Sequence, residues 1–137
     1  MKNILSLFCL ILFSNVLVAQ KISVSNDSLS KLLCKTWKID YSFGDRIKTE
    51  QKQIPKNQIY ELAFNSDYTF QVIGAGKIVN GKWCYNEINK DVELELRGEN
   101  NLRIFSINNV ELIMTFKKDS KKKFSSLPEN FTHFSPK

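Results

Sequence analysis

IYELAFNSDYTFQVIGAGKIVNGKWCY, residues Ile59 to Tyr85, decides the fold. Tyr60, Leu62 and Phe64 alternate with Glu61, and Tyr68, Phe70 and Val72 alternate with Thr69 and Gln71. Period two is the mark of a half-buried antiparallel strand, so the spacing predicts two strands turned back at Asn65-Ser66-Asp67. Gly74-Ala75-Gly76 bends the chain into a third strand that carries Gly81-Lys82-Trp83. So aromatic a hairpin cannot leave its apolar face in water, and the remaining strands must curl around to cover it.

Outward from that hairpin the same alternation recurs. Trp37, Ile39, Tyr41 and Phe43 share one face of a first strand over Lys35 to Phe43, and Arg46 to Gln53 is a weaker, polar strand after a turn at Gly44-Asp45. Val92, Leu94 and Leu96 alternate with Glu93 and Glu95; Leu102 to Ile107 returns; Asn108-Asn109 turns into a last strand with Val110, Leu112, Met114 and Phe116 inward. Ahead of the strands, Ser25 to Ser28 offer capping oxygens, and Leu29, Leu32 and Leu33 recur at helical spacing, which predicts a short helix ending near Cys34. About eight short strands with short turns and no long crossover give an all-β fold. An antiparallel up-and-down barrel removes the raw sheet edges, and a two-sheet sandwich is the competing arrangement.

The chain has 137 residues, 42% of them apolar and 12% aromatic, enough for one packed domain. Residues 1–19 read as a signal peptide: Lys2 opens it, Ile4 to Phe13 is apolar but for Ser6, and Ala19 offers a cleavage site. Cys9 sits inside that run, whereas a lipid-attachment cysteine closes it, so the expected product is exported, periplasmic or secreted, with no stable membrane insertion. The net charge of +6 is unevenly spread: residues 20–116 carry 13 Lys/Arg against 12 Asp/Glu, and residues 117–137 carry 6 against 2. A neutral body with a basic end gives no phosphate-gripping face, so no nucleic acid is expected as a partner. The barrel domain is placed at residues 20–117. Residues 118–137 are expected as a basic, partly disordered tail, with the alternative that Phe124, Leu127, Phe131 or Phe134 folds back over the barrel.

With these elements placed, the chain resembles the bacterial lipocalin-like domains of the calycin barrels over residues 29 to 117. The likeness rests on Trp37 at the start of the first strand and on the mid-chain Gly81-Lys82-Trp83, and it departs at Lys35, where those families usually carry Gly. It implies a barrel that holds one small, largely apolar molecule and does no catalysis. It also implies a basic side chain from the last strand, Lys117 or Lys118, packed over Trp37.

Trp37, Tyr41, Tyr60, Phe64, Phe70, Trp83 and Tyr85 are the candidate ligand-binding residues, since pockets are mostly apolar with a few placed hydroxyls. The competing reading is that these rings fill an eight-stranded barrel, which is only just wide enough for its own side chains or one small ligand. Each buried ring contributes roughly 4–6 kcal/mol as an upper limit, so stability alone accounts for them. A solid barrel makes the protein an exported inhibitor or accessory subunit acting through loops or the tail; the sequence names no protein partner. Cys34 and Cys84 are the candidate disulfide pair in an exported chain. A bridge closes a loop of about 50 residues and stabilises by roughly 4 kcal/mol, while two small unpaired hydrophobes satisfy the spacing equally. His133, the only histidine, lies in the tail, which leaves the body without a Ser-His or Cys-His pair, metal site or cofactor motif, and an enzyme is not expected. Glu93 and Glu95 project together, but from the outer face, as solvated strand residues do.

Overall fold

A computed structural model of the chain describes residue 22 and residues 25–44, 47–116 and 130–137. The predicted leader, Cys9 included, and Lys117 and Lys118 lie outside the described residues, and no described helix is long and apolar enough to cross a membrane. Ser25 caps α1 (Asn26–Leu33) by accepting from the Ser28 backbone N–H, and Leu29 and Leu33 form its buried stripe. The strands follow as β1 (Thr36–Gly44), β2 (Ile47–Glu50), β3 (Tyr60–Phe64), β4 (Thr69–Gly74), β5 (Lys77–Asn86), β6 (Asp91–Leu96), β7 (Glu99–Ile107), β8 (Leu112–Phe116) and β9 (Phe131–Pro136). Two short 3₁₀ turns, Gln51–Gln53 and Lys56–Gln58, lead from β2 to β3.

Every pairing is antiparallel. The sheet runs β2-β1-β3-β4-β5-β6-β7-β8-β9, and β9 also pairs with β1, so eight strands close into a barrel with β2 as an extra strand on the rim. The predicted barrel is present, but its roster differs: the polar strand over residues 47–50 extends only the end of β1, and the eighth wall strand comes from the expected tail. The domain boundary expected at residue 117 is corrected accordingly. Phe134 is fully buried in β9, whose register against β1 runs from Trp37↔Pro136 to Phe43↔Phe131.

One end of the barrel is solid. Trp37, Phe64, Trp83, Val92, Ile104 and Leu112 are at most 4% exposed, and α1 lies over them with Leu29 and Leu33 at 0%. Two indole hydrogen bonds fix this end: Trp37 Nε1 donates to the Leu33 carbonyl (3.1 Å), tying helix to strand, and Trp83 Nε1 donates to the Asn65 carbonyl (3.0 Å), tying β5 to the β3–β4 turn. In that turn Asp67 accepts from the Thr69 hydroxyl (2.5 Å) and the Thr69 N–H (3.0 Å), bonds that hold its carboxyl below the usual range. Tyr68, expected in strand, instead has φ +66° and packs its exposed ring against Trp83. Lys35 holds its ammonium 4.9 Å from the centre of the Trp37 ring.

Two turns also sit differently from the sequence reading. Arg97 and Gly98 both take positive φ, so β7 begins at Glu99 and its pairing absorbs a bulge near Leu94. Val110 is not inward but 70% exposed, because the Asn108 side chain accepts the Val110 and Glu111 N–H groups and holds both in the turn.

Candidate functional site

The other end is hollow. A cavity of about 550 Å³ opens between the β1–β2 corner, the β6–β7 turn and the ends of β8 and β9. Leu62 and Phe70, both 1% exposed, form its floor against the solid end. Its walls are of two kinds. Val72, Leu96, Leu102 and Met114, from β4, β6, β7 and β8, are apolar; Ser42, Thr49, Tyr60 and Thr132, from β1, β2, β3 and β9, carry hydroxyls, as does Thr115 on β8, whose hydroxyl is donated to the Asn130 carbonyl (2.6 Å). Phe43, Phe116 and Phe131 stand among the lining residues with Gly44 and Asn130.

The hydroxyl wall is the result of a register shift. Ile39 pairs with Phe134 and Tyr41 with His133, so Asp40 is an extra residue in β1, a bulge. A bulge reverses the alternation beyond it. Trp37 and Ile39 face inward, but after Asp40 it is Ser42, paired with Thr132, that faces the cavity. Tyr41 is turned to the outer wall, where its ring stacks on His133 (centroids 4.6 Å apart, 10° between planes) and lies 4.2 Å from the Lys48 ammonium. Burial pushes the Tyr41 phenol up, Lys48 opposes that, and Glu111 adds to it. The assignment of Tyr41 to the pocket is thus corrected.

Of the other candidates, only Tyr60 and Phe70 line the cavity. The Tyr60 phenol shares a hydrogen bond with the Thr132 hydroxyl, and burial raises its pKa. Trp37, Phe64 and Trp83 belong to the solid end, where they fill the barrel as the competing reading expected. Tyr85 is half-buried and donates its hydroxyl to the Ile22 carbonyl (2.7 Å), bracing the segment before α1. Phe64 and Phe70 stack at 5.3 Å, and Phe70 in turn covers Gly81: a Cβ there would press on the Phe70 ring and stand 2.6 Å from the Glu95 carbonyl oxygen. The glycine of Gly81-Lys82-Trp83 is required by this close approach.

No disulfide joins Cys34 and Cys84. Cys34 closes α1 against the core, its thiol pKa raised by burial and then by Asp67, whereas Cys84 is exposed on the outer wall, paired with Glu93. The Glu93 carboxylate is held by the Asn86 and Asn100 amides, each at 2.9 Å, in keeping with the outer-face reading.

His133, assigned to the tail, stands in the barrel wall. Its Nε2 is 3.2 Å from Glu111 Oε2, and its Nδ1 is 3.3 Å from Asp40 Oδ2 without the alignment of a hydrogen bond. No three of His, Cys, Asp and Glu converge as a metal site among the described residues. A buried ion pair crosses the outer wall from Asp91 to Arg103 (2.6 Å).

No protein-family model and no curated protein sequence matches this chain. Among solved structures it is similar to a DUF4847 family protein from Bacteroides vulgatus ATCC 8482, with a TM-score of 0.54 and 12% identity, over 78% of this chain and 96% of that one. At that identity the likeness speaks for the fold alone.

Proposed function

We propose that this chain is an exported, lipocalin-like binding protein that holds one small hydrophobic or amphipathic molecule in the open half of its barrel and does no catalysis. The cavity carries this reading: about 550 Å³ falls within the range of small-molecule sites, and most of its lining is apolar with a few placed hydroxyls. The lipocalin-like assignment is supported by Trp37 at the start of β1, locked to the helix that covers the solid end, and by Gly81 and Trp83 in their expected strand. Export is supported by the leader-like residues 1–19.

Titration with the uncharged fluorophore N-phenyl-naphthylamine tests the reading. The protein is expected to bind it at micromolar concentration, and Val72→Trp, which puts an indole into the cavity, to abolish binding while leaving the unfolding midpoint within a few degrees. Native protein extracted into organic solvent should yield a co-purified small molecule by mass spectrometry. Absence of both signals ends the proposal.

A further inference from the structure

Resting on the ligand-binding reading above, we infer from the two-sided lining that the ligand is an uncharged amphipath, its neutral polar group set against Ser42, Tyr60 and Thr132 and its hydrocarbon against Leu96, Leu102 and Met114.

Among the described residues, none of the sixteen that line the cavity is Lys, Arg, His, Asp or Glu. A carboxylate or ammonium drawn inside would meet no counter-ion among the described lining residues, and an unpaired buried charge costs several kcal/mol. A fully apolar ligand has the opposite defect. It would cover the hydroxyls of one wall without returning the hydrogen bonds they make with water, at about 1–3 kcal/mol for each group left unsatisfied. A hydroxyl, amide or ester matches both constraints, because Ser and Thr hydroxyls donate and accept alike.

The polar groups are also contiguous. Ser42 and Thr132 are directly paired across β1 and β9, Thr132 is bonded to Tyr60 on β3, and Thr49 pairs with Ser42 from β2. One wall therefore recognises one polar group, and the facing wall recognises the chain attached to it. At about 30 Å³ for each water-sized group the cavity holds on the order of 18 such groups, the scale of a single medium-length chain with a small head.

The test is competition against bound N-phenyl-naphthylamine by dodecanol, dodecanoate and dodecyltrimethylammonium at about pH 8, where the carboxylate and the ammonium are both charged. The tail is common to all three, so differences report the head group. Dodecanol is expected to displace the probe at a concentration at least ~10-fold below either ion. Ser42→Ala with Thr132→Val should weaken dodecanol about 5- to 10-fold relative to the probe, whose own affinity for the variant is measured by direct titration. Tyr60→Phe supplies the same readout if that double variant does not fold. Should dodecanoate or the ammonium compete as well as dodecanol, or should the head-group preference survive loss of the hydroxyls, the inference is overturned while ligand binding itself stands. A probe that does not bind the wild-type protein, together with an organic extract that yields no co-purified molecule, overturns both.

Discussion

Phe134 and Thr132 stand two residues apart on β9, both turned into the barrel, and they face different interiors. Phe134 is fully buried, with the Tyr60 ring centred 5.7 Å away, in the end sealed by α1; Thr132 faces the cavity. The same eight strands thus build a solid half and a hollow half, and the side chains decide which is which. Toward the solid end the inward positions carry Trp37, Phe64, Trp83 and Ile104; toward the open end they carry Ser42, Gly44, Val72 and Thr132. Trp37, Phe64 and Trp83 mark where the barrel is full, and the binding space begins beyond Leu62 and Phe70. Wall strands supply the frame, but volume alone sets the boundary between core and pocket.

The comparison is tested most severely on β9 itself. Phe134→Ala is expected to cost about 3–5 kcal/mol, because a large buried ring is removed and its surroundings collapse only partly. Thr132→Val, nearly equal in shape, loses the bond to Tyr60 and is expected to cost about 0.5–1.5 kcal/mol, well below Phe134→Ala. Urea unfolding followed by tryptophan fluorescence measures both. Equal costs at the two positions would mean that the two halves are not packed differently.

Next in size is Gly81→Ala, at the junction of the halves. The added methyl meets the Phe70 ring on one side and the Glu95 carbonyl on the other. Only the ring can yield, and it forms the cavity floor, so the change should destabilise by about 1–3 kcal/mol and weaken probe binding together. A loss of stability with unchanged binding would show that Phe70 moves elsewhere.

These contrasts also explain what the sequence disclosed. The hairpin from Tyr60 to Gly74 was legible because Leu62 and Phe64 alternate on one strand and Phe70 and Val72 on the other, although Tyr68 belongs to the turn, and the closed barrel followed from the need to cover it. Tyr41 was misassigned because Trp37, Ile39, Tyr41 and Phe43 alternate without a break, and nothing in that run signals the bulge at Asp40. After it, Tyr41 turns to the outer wall, and Phe43 stacks on Phe131 at 5.4 Å beside the cavity. The closing strand β9 was illegible for a related reason. Its two rings are three residues apart, one outward and one inward, a spacing that no period-two criterion selects, and it follows a lysine-rich segment that reads as solvated. The cavity was half legible: a search for bulky rings finds Tyr60 and Phe70 on its walls but passes over Ser42, Thr49 and Thr132, whose small size helps to keep it open.

Leu102 probes the hollow half directly. Part of its side chain already faces unfilled space, so Leu102→Ala should cost only about 1 kcal/mol, well below the 2–5 kcal/mol usual for a leucine in a full core. It should also admit probes one ring larger. A cost in the range of Phe134→Ala would mean that the apolar wall is packed as tightly as the solid end.

The smallest effect sits on the hydroxyl wall and depends on pH. Burial raises the Tyr60 pKa above the value of about 10 that the phenol has in an unfolded chain. Below about pH 10 the group is protonated in both states and adds no pH dependence. Above it the unfolded chain loses the proton while the folded chain keeps it, so the unfolded state binds fewer protons and stability falls as pH rises. Phenylalanine cannot ionise. At pH 8 Tyr60→Phe should therefore be the less stable protein by about 0.5–1.5 kcal/mol, from loss of the bond to Thr132. Between about pH 10 and 11 that deficit should shrink toward zero or change sign, while Tyr41, whose pKa is also raised, ionises alike in both proteins and cancels from the difference. Urea unfolding of the pair at pH 8, 9.5 and 10.5 reads this out. A gap that stays constant across the series would mean that the Tyr60 hydroxyl ionises alike in the folded and unfolded chains, against the burial that raises its pKa.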